Sequence, residues 1–184
     1  MRGVIWILLI AFTLPVANAQ NSGKYFTREG NISFFSDAPT EKIAGQNSKV
    51  NSAIDFATGK IEFAVLIKSF MFEKALMQEH FNENYMESDQ FPKATFKGNI
   101  SPLSAVNFAK DGTYPVTVTG VLTIHGVSKN VTLKGPIVIK GNMASIKTSF
   151  NVLLSDYNIN IPSIVKDKLN NTVKITVDCS YNKV

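Results

Sequence analysis

The sequence predicts a mainly β fold: about eight antiparallel strands that close into a barrel or pack as a sandwich, with one amphipathic helix. Apolar and polar residues alternate in several separate runs, which is typical of strands with one buried face. Turn-forming sequences separate these runs closely, and no long helices stand between them. That spacing favours antiparallel pairing over a parallel sheet.

The first nineteen residues have the pattern of a cleaved export signal. Arg2 precedes an apolar run over residues 4–14, which is too short to span a bilayer, and Ala17 and Ala19 are small residues placed where a signal peptidase reads the chain. We therefore predict a signal peptide over residues 1–19, cleavage after Ala19, one mature domain over residues 20–184, and a periplasmic or secreted location. A buried N-terminal helix is the alternative. No cysteine follows the cleavage site, so no stable membrane anchor is expected.

The first clear strand follows a turn at residues 57–60. Its alternating apolar residues are Ile61, Phe63, Val65 and Ile67. Ala64 and Leu66 make the second face apolar as well, so we expect this strand to be covered on both sides.

Residues 73–88 predict an amphipathic helix of about four turns. Ala, Leu, Met, Gln and Glu dominate this segment, and β-branched residues are absent from it. Met77, Phe81 and Tyr85 recur every four residues and define one apolar face. The helix ends before Pro92, because proline disfavours helix in the residue before it. We expect the helix to lie over an open end or a seam of the sheet.

Four later runs alternate with the period of a strand. Their apolar faces are, in order, Val116, Val118, Leu122 and Ile124; Val131, Leu133, Ile137 and Ile139; Ile146, Phe150, Val152 and Leu154; and Val173, Ile175, Val177, Cys179 and Tyr181. Residues 125–129 form a short hairpin loop between the first two runs, and residues 158–171 predict a packed loop or short turn. The lone cysteine therefore lies on an apolar face, where a thiol behaves as a small hydrophobe. An intermolecular disulfide is the alternative.

Composition narrows the function classes. The net charge is +5 with a pI near 9.3, but the 19 basic residues are scattered singly, so no nucleic-acid-binding stripe is predicted. One cysteine excludes a disulfide within the monomer and a cysteine-clustered zinc or iron–sulfur site. Two histidines leave little room for a histidine-rich metal site. We expect no metal and no cofactor.

No catalytic residues are predicted. The chain has neither a Gly-x-Ser-x-Gly sequence nor a glycine-rich phosphate loop. His80 and Glu83 lie one helical turn apart and could hold a metal if His125 or another carboxylate joined them. They are more simply a packed helix-face residue and a solvated carboxylate. An enzyme that uses His80 with carboxylates is therefore the weakest of three functional hypotheses.

Aromatic residues crowd into one stretch of the chain, at Phe70, Phe72, Phe81, Tyr85, Phe91 and Phe96. One interpretation is a packing cluster between the helix and the sheet. The other is a gate over a cavity mouth, to which Met71, Met77 and Met86 would add adaptable apolar contacts.

These residues resemble recurrent blocks of the YceI-like family. The blocks are Phe70-x-Phe72, Phe81-x-x-x-Tyr85, Phe91-Pro92-x-Ala94-x-Phe96-x-Gly98, Thr58-Gly59 before a long strand, and the continuous sequence over residues 120–129. The resemblance implies an exported, lipocalin-like antiparallel β-barrel of eight strands. It also implies that the barrel binds a polyisoprenoid or a related amphiphilic lipid in an internal tunnel, with no fixed catalytic set.

The leading hypothesis is therefore an exported carrier that shields a long apolar lipid from water. Its tunnel would be lined by Phe63, Val65, Ile67, Val118, Leu122, Leu133, Phe150, Val152 and Ile175, and gated by Phe72, Met77, Phe81 and Tyr85. Periodicity alone does not distinguish a hollow barrel from a filled one. The alternative is thus a filled-barrel stress-response or interaction module, whose basic surface contacts anionic lipid or a protein. Homodimer formation is left open.

Overall fold

The computed structural model describes residues 23–184, and the predicted signal peptide lies outside the described residues. The described chain forms a closed barrel of eight antiparallel strands, in which each strand pairs with the next and β8 pairs with β1. The strands are β1 (Lys24–Asp37), β2 (Lys42–Asp55), β3 (Lys60–Leu66), β4 (Lys93–Ser101), β5 (Gly112–Ile124), β6 (Val127–Lys140), β7 (Met143–Leu153) and β8 (Thr172–Lys183). The predicted eight-stranded barrel is confirmed.

The two long strands β1 and β2 lack the simple alternation from which β3 and β5 to β8 are predicted. Their inward positions include polar residues and glycines, which the fold accommodates individually. Asn47 is buried and its Nδ2 donates to the Leu66 carbonyl at 2.9 Å, while buried Ser52 donates through Oγ to the Glu62 carbonyl at 2.8 Å. These two buried side chains therefore have hydrogen-bond partners, which removes most of the cost of burying them.

The helical segment is shorter than predicted. An α-helix, α1, covers Ala75–His80, and a π-helical turn continues it over Phe81–Tyr85. The N-cap residue, Lys74, has an extended backbone and makes no capping hydrogen bond through its side chain, and the predicted residues 73 and 74 lie outside the helix. At the other end the Met86 N–H donates to the Phe81 carbonyl, and Glu87 takes a left-handed φ of 43° that terminates the helix. The prediction of four regular turns over residues 73–88 is therefore wrong.

Three smaller predictions need correction. Leu66 is 41% exposed, so β3 is not covered on both sides as predicted. Ile67 and Leu154 lie in 3₁₀ turns that follow β3 and β7 rather than in the strands themselves. The β5–β6 hairpin loop is only His125 and Gly126, both with positive φ as in a type I′ turn, because that turn matches the twist of paired strands.

One end of the barrel, where β1 and β5 begin, is filled by aromatic side chains. The Tyr25 and Phe56 ring centroids are 5.0 Å apart, and those of Phe56 and Phe108 are 4.1 Å apart. Tyr181 is fully buried beside them, and its hydroxyl donates to Ser52 Oγ at 2.9 Å. Burial raises the pKa of Tyr181, so the phenol stays neutral. This end forms a packed core.

Cys179 is buried on the inner face of β8, as predicted. Gly30 provides its space, since a Cβ at that position would lie 2.6 Å from the Cys179 Sγ. Burial raises the pKa of the Cys179 thiol to about 11. The native thiol is therefore both inaccessible and protonated, which makes it a poor nucleophile.

We expect the free energy of unfolding to fall as pH rises from about 9 to about 11. The unfolded thiol ionises near 9.0 whereas the folded one holds its proton to about 11, so the unfolded state binds fewer protons across that window. The loss should be about 2 kcal/mol. Denaturant titrations at several pH values measure this loss as the difference between the parent protein and Cys179→Ala, because the variant removes the thiol's part of the slope and keeps the part that comes from the raised pKa of Tyr181. A slope equal in both proteins would contradict the account.

Within residues 23–184, the structure contains no helix with the length and apolar character needed to cross a membrane.

Candidate ligand-binding cavity

The barrel is hollow above its packed end. A cavity of about 540 Å³ runs inside the sheet and extends beneath α1 and the π-helical turn. Its wall is almost wholly aliphatic and aromatic. An apolar cavity of roughly 150 Å³ already takes up benzene-sized guests, so this one has room for a considerably longer apolar chain.

All thirteen residues predicted for the tunnel and its gate lie on the cavity wall. Those from strands and strand ends are Phe63, Val65, Ile67, Val118, Leu122, Leu133, Phe150, Val152 and Ile175, and those from the segment between β3 and β4 are Phe72, Met77, Phe81 and Tyr85. The strand residues meet there because alternate residues of a closed barrel point inward. That a ligand contacts them stays a prediction.

Sequence reasoning missed other lining residues. Ile61, Ile146, Val173 and Val177 belong to the predicted apolar strand faces but not to the predicted tunnel set, and Phe96 of β4 shares their inward parity. Ile32 and Phe34 come from β1, where glycine and polar residues interrupt the pattern. Ile159 comes from the irregular segment after β7, and only the tertiary fold places it at the cavity.

An aromatic cluster holds the helical segment against the barrel. Phe81 in the π-helical turn stacks on Phe34 of β1, with ring centroids 5.3 Å apart and planes inclined by 17°. Phe70 and Phe72 approach the same Phe81 ring at 5.5 and 5.0 Å. Since α1 has no buried residue of its own, these ring contacts are its main attachment. The cluster is thus both a packing contact and part of the cavity wall.

We expect Phe81→Ala to loosen the helical segment more than the barrel. Removing three ring contacts from a half-buried site should lower the free energy of unfolding by about 2 kcal/mol. The amides of residues 75–85 should lose most of their protection from hydrogen exchange, while those of β5 to β8 keep theirs. Glu83→Ala, on the exposed side of the same segment, is the control. Unchanged protection at residues 75–85 in Phe81→Ala would contradict this attachment.

A second contact, centred on His125, fixes the end of the helical segment. Its Nε2 lies 2.9 Å from Glu87 Oε2, its Nδ1 lies 3.1 Å from the Tyr157 carbonyl oxygen, and its ring packs edge-on against Phe91. His125 therefore joins the β5–β6 hairpin, the end of the helix and the turn after β7. These three contacts give the histidine a structural role in its turn.

The rim of the cavity carries the few polar groups. Lys74 lies 3.8 Å from Glu41 across the mouth, and exposed His80 and Lys168 also border it. Among residues 23–184, no group of three or more histidine, cysteine, aspartate or glutamate side chains is arranged to hold a metal ion. The geometry thus offers a long apolar chamber with a polar edge.

A closed antiparallel barrel with one covering helix and an apolar interior is what the sequence resemblance led us to expect. The family model of the YceI-like domain matches residues 26–181 of this chain, which is almost the whole of the barrel. The chain belongs to the YceI-like family. The comparison with curated proteins finds no match.

Solved structures share the fold of this YceI-like domain. A polyisoprenoid-binding domain from Saccharophagus degradans, implicated in plant cell wall breakdown, superimposes with a TM-score of 0.77 at 13% identity, covering 89% of this chain and 99% of that one. Burkholderia cenocepacia BcnA gives a TM-score of 0.68 at 19% identity, covering 82% and 95%. A Campylobacter jejuni YceI protein gives 0.54 at 18% identity, covering 100% and 99%. At these identities the likeness establishes the fold.

Proposed function

We propose that this protein is an exported carrier that holds one long apolar lipid, of polyisoprenoid type, inside the barrel. The single observation that carries the proposal is the cavity of about 540 Å³ with its nearly continuous apolar wall. The Saccharophagus degradans relative is described as a polyisoprenoid-binding domain, which supports the same ligand class.

Burial of the chain would supply the binding free energy. Each CH₂ removed from water contributes about 0.8 kcal/mol, so one five-carbon isoprene unit contributes about 4 kcal/mol before the cost of ordering the chain. No charged partner is needed for the tail. The polar rim at Lys74, Glu41 and Lys168 leaves the head group at the water-exposed edge.

Export is the second part of the proposal. The pattern over residues 1–19 supports delivery to the periplasm or the exterior, where a lipid with a long apolar tail needs a protein to cross water. The cavity wall, which presents methyl groups and rings to the ligand, supports binding rather than catalysis as the function.

A chain-length series tests the ligand class. Polyprenyl alcohols of increasing length are titrated against the purified protein carrying an environment-sensitive apolar dye. We expect displacement at one alcohol per protein, with affinity that rises with each isoprene unit until the cavity is full and then levels off. Displacement that ignores chain length, or no dye uptake at all, would overturn the proposal.

A further inference from the structure

We propose that the outer face of β5 to β8 docks on anionic lipid membranes, and that lipid passes between the membrane and the cavity through a break in the barrel wall on this face. This inference rests on the proposed lipid-binding function, and it adds which face of the barrel contacts the membrane.

The break lies between β6 and β7. These strands pair only from Ile137 with Ile146 to Lys140 with Met143, next to their hairpin turn. In contrast, β5 pairs with β6 along its whole length, and β7 does so with β8. In the described chain, residues 127–136 of β6 and 147–153 of β7 are therefore not paired with each other, so most of the seam between these two strands lacks the ladder that joins the other neighbouring strands.

Pro136 explains where the pairing stops. It is the first β6 residue beyond the ladder with β7, and it has no N–H to donate across the gap. Thr148 bridges the two edges instead, donating through Oγ1 to the Lys134 carbonyl at 3.1 Å. Lys134, Gly135, Pro136 and Thr148 all border the cavity, so the cavity reaches the wall at this break.

Charge distinguishes this face from the mouth beneath the helix. Strands β5 to β8 carry Asp178 as their one acidic residue, against Lys129, Lys134, Lys140, Lys147, Lys174 and Lys183. The helical segment over residues 73–89 has the opposite balance, with Glu73, Glu79, Glu83, Glu87 and Asp89 against Lys74. An anionic membrane therefore attracts the wall and repels the helix.

Three lysines lie nearest to the break, and their side chains are directed outward from adjacent strands. Lys134, Lys147 and Lys174 are all exposed, and Asp178 is already paired with Lys147 at 2.9 Å. Two apolar side chains stand beside them: Phe35 is opposite Lys174 on β1 and 38% exposed, and Leu153 at the end of β7 is 42% exposed. Cationic groups interspersed with apolar ones suit the headgroup layer of an anionic bilayer.

Co-sedimentation with phosphatidylglycerol vesicles, against phosphatidylcholine vesicles, tests the docking. The test variant combines Lys140→Gln, Lys147→Gln and Lys174→Gln, which are exposed positions of β6, β7 and β8 that do not border the cavity. The control combines Lys49→Gln, Lys60→Gln and Lys97→Gln, which removes the same charge from exposed positions of β2, β3 and β4. Each lysine near an anionic membrane surface strengthens binding about fivefold. We therefore expect the test variant, which lacks three of them, to bind phosphatidylglycerol vesicles about a hundredfold more weakly. The control should stay within about threefold of the parent protein, and binding should weaken with salt.

A second readout separates this inference from the function on which it rests. Uptake of the soluble apolar dye reports the cavity, and both triple variants should keep it. Transfer of a fluorescent polyprenyl probe from phosphatidylglycerol vesicles should slow only in the test variant. Equal loss in both variants, or no loss in either, would overturn the docking surface. Absence of dye uptake in the parent protein would instead overturn the proposed function.

Discussion

Leu122→Trp should abolish lipid retention while leaving the barrel folded. Leu122 is buried on β5 and its side chain lies on the cavity wall, so the larger ring extends into the space proposed for the tail. Excluding about one isoprene unit costs about 4 kcal/mol of binding, or roughly a thousandfold in affinity. The measurement is dissociation of a polyprenyl alcohol from the purified variant, with circular dichroism and thermal unfolding as checks on folding.

Neighbouring positions give the controls for this experiment. Val121→Trp places the same ring on the outer face of β5, where Val121 is 41% exposed, and it should bind like the parent protein. Val118→Trp fills the cavity from another point of the same strand and guards against a local folding defect at residue 122. A folded Leu122→Trp that retains lipid as well as Val121→Trp does would show that the tail lies elsewhere.

Gly120→Ala should give the largest loss of stability of any single methyl addition to the sheet. Gly120 faces Gly98 across the β4–β5 ladder, and an added Cβ would collide with the Lys97 carbonyl oxygen and lie 2.5 Å from the Gly98 Cα. These are backbone atoms, so the strands have to separate. We expect about 3 kcal/mol of destabilisation, measured as a lower denaturant midpoint at unchanged m-value.

Gly135→Ala is the matched control for this effect. Its Cβ would lie 3.1 Å from the Cβ and Oγ1 of Thr148, a contact that a shift of a few tenths of an ångström relieves because β6 and β7 are not paired there, so the cost should be about 1 kcal/mol or less. If both substitutions lower the free energy of unfolding by the same amount, the close approach of β4 and β5 at Gly98 and Gly120 is not the cause of the loss in Gly120→Ala.

The sequence predicts those strands in which burial alone determines the alternation of apolar and polar residues. In β3, β5 and β8 most inward residues are aliphatic or aromatic, so alternation predicts the strands and much of the cavity wall together. The same rule fails for β2, where Asn47 and Ser52 are buried and bonded to carbonyls of β3. Those bonds exist only after the strands pair, and the local sequence does not contain them.

The volume of the cavity is a second property that the alternation of apolar and polar residues does not determine. The inward residues of the two ends look alike in sequence, yet Tyr25, Phe56 and Phe108 fill one end while the other encloses a cavity. The difference depends on how rings from distant segments meet, as Phe34 meets Phe81. The π-helical turn is missed for a related reason, since the spacing of Met77, Phe81 and Tyr85 fits a regular helix equally well.

The most decisive test of a lipid inside the barrel is native mass spectrometry. The protein is purified from its own host without detergent, and bound lipid is then extracted. We expect one long-chain, isoprenoid-like molecule per protein, which is lost from Leu122→Trp purified in the same way. A protein that carries no lipid, and that takes up no polyprenyl alcohol when one is added back, would contradict the claim that the barrel is a lipid chamber.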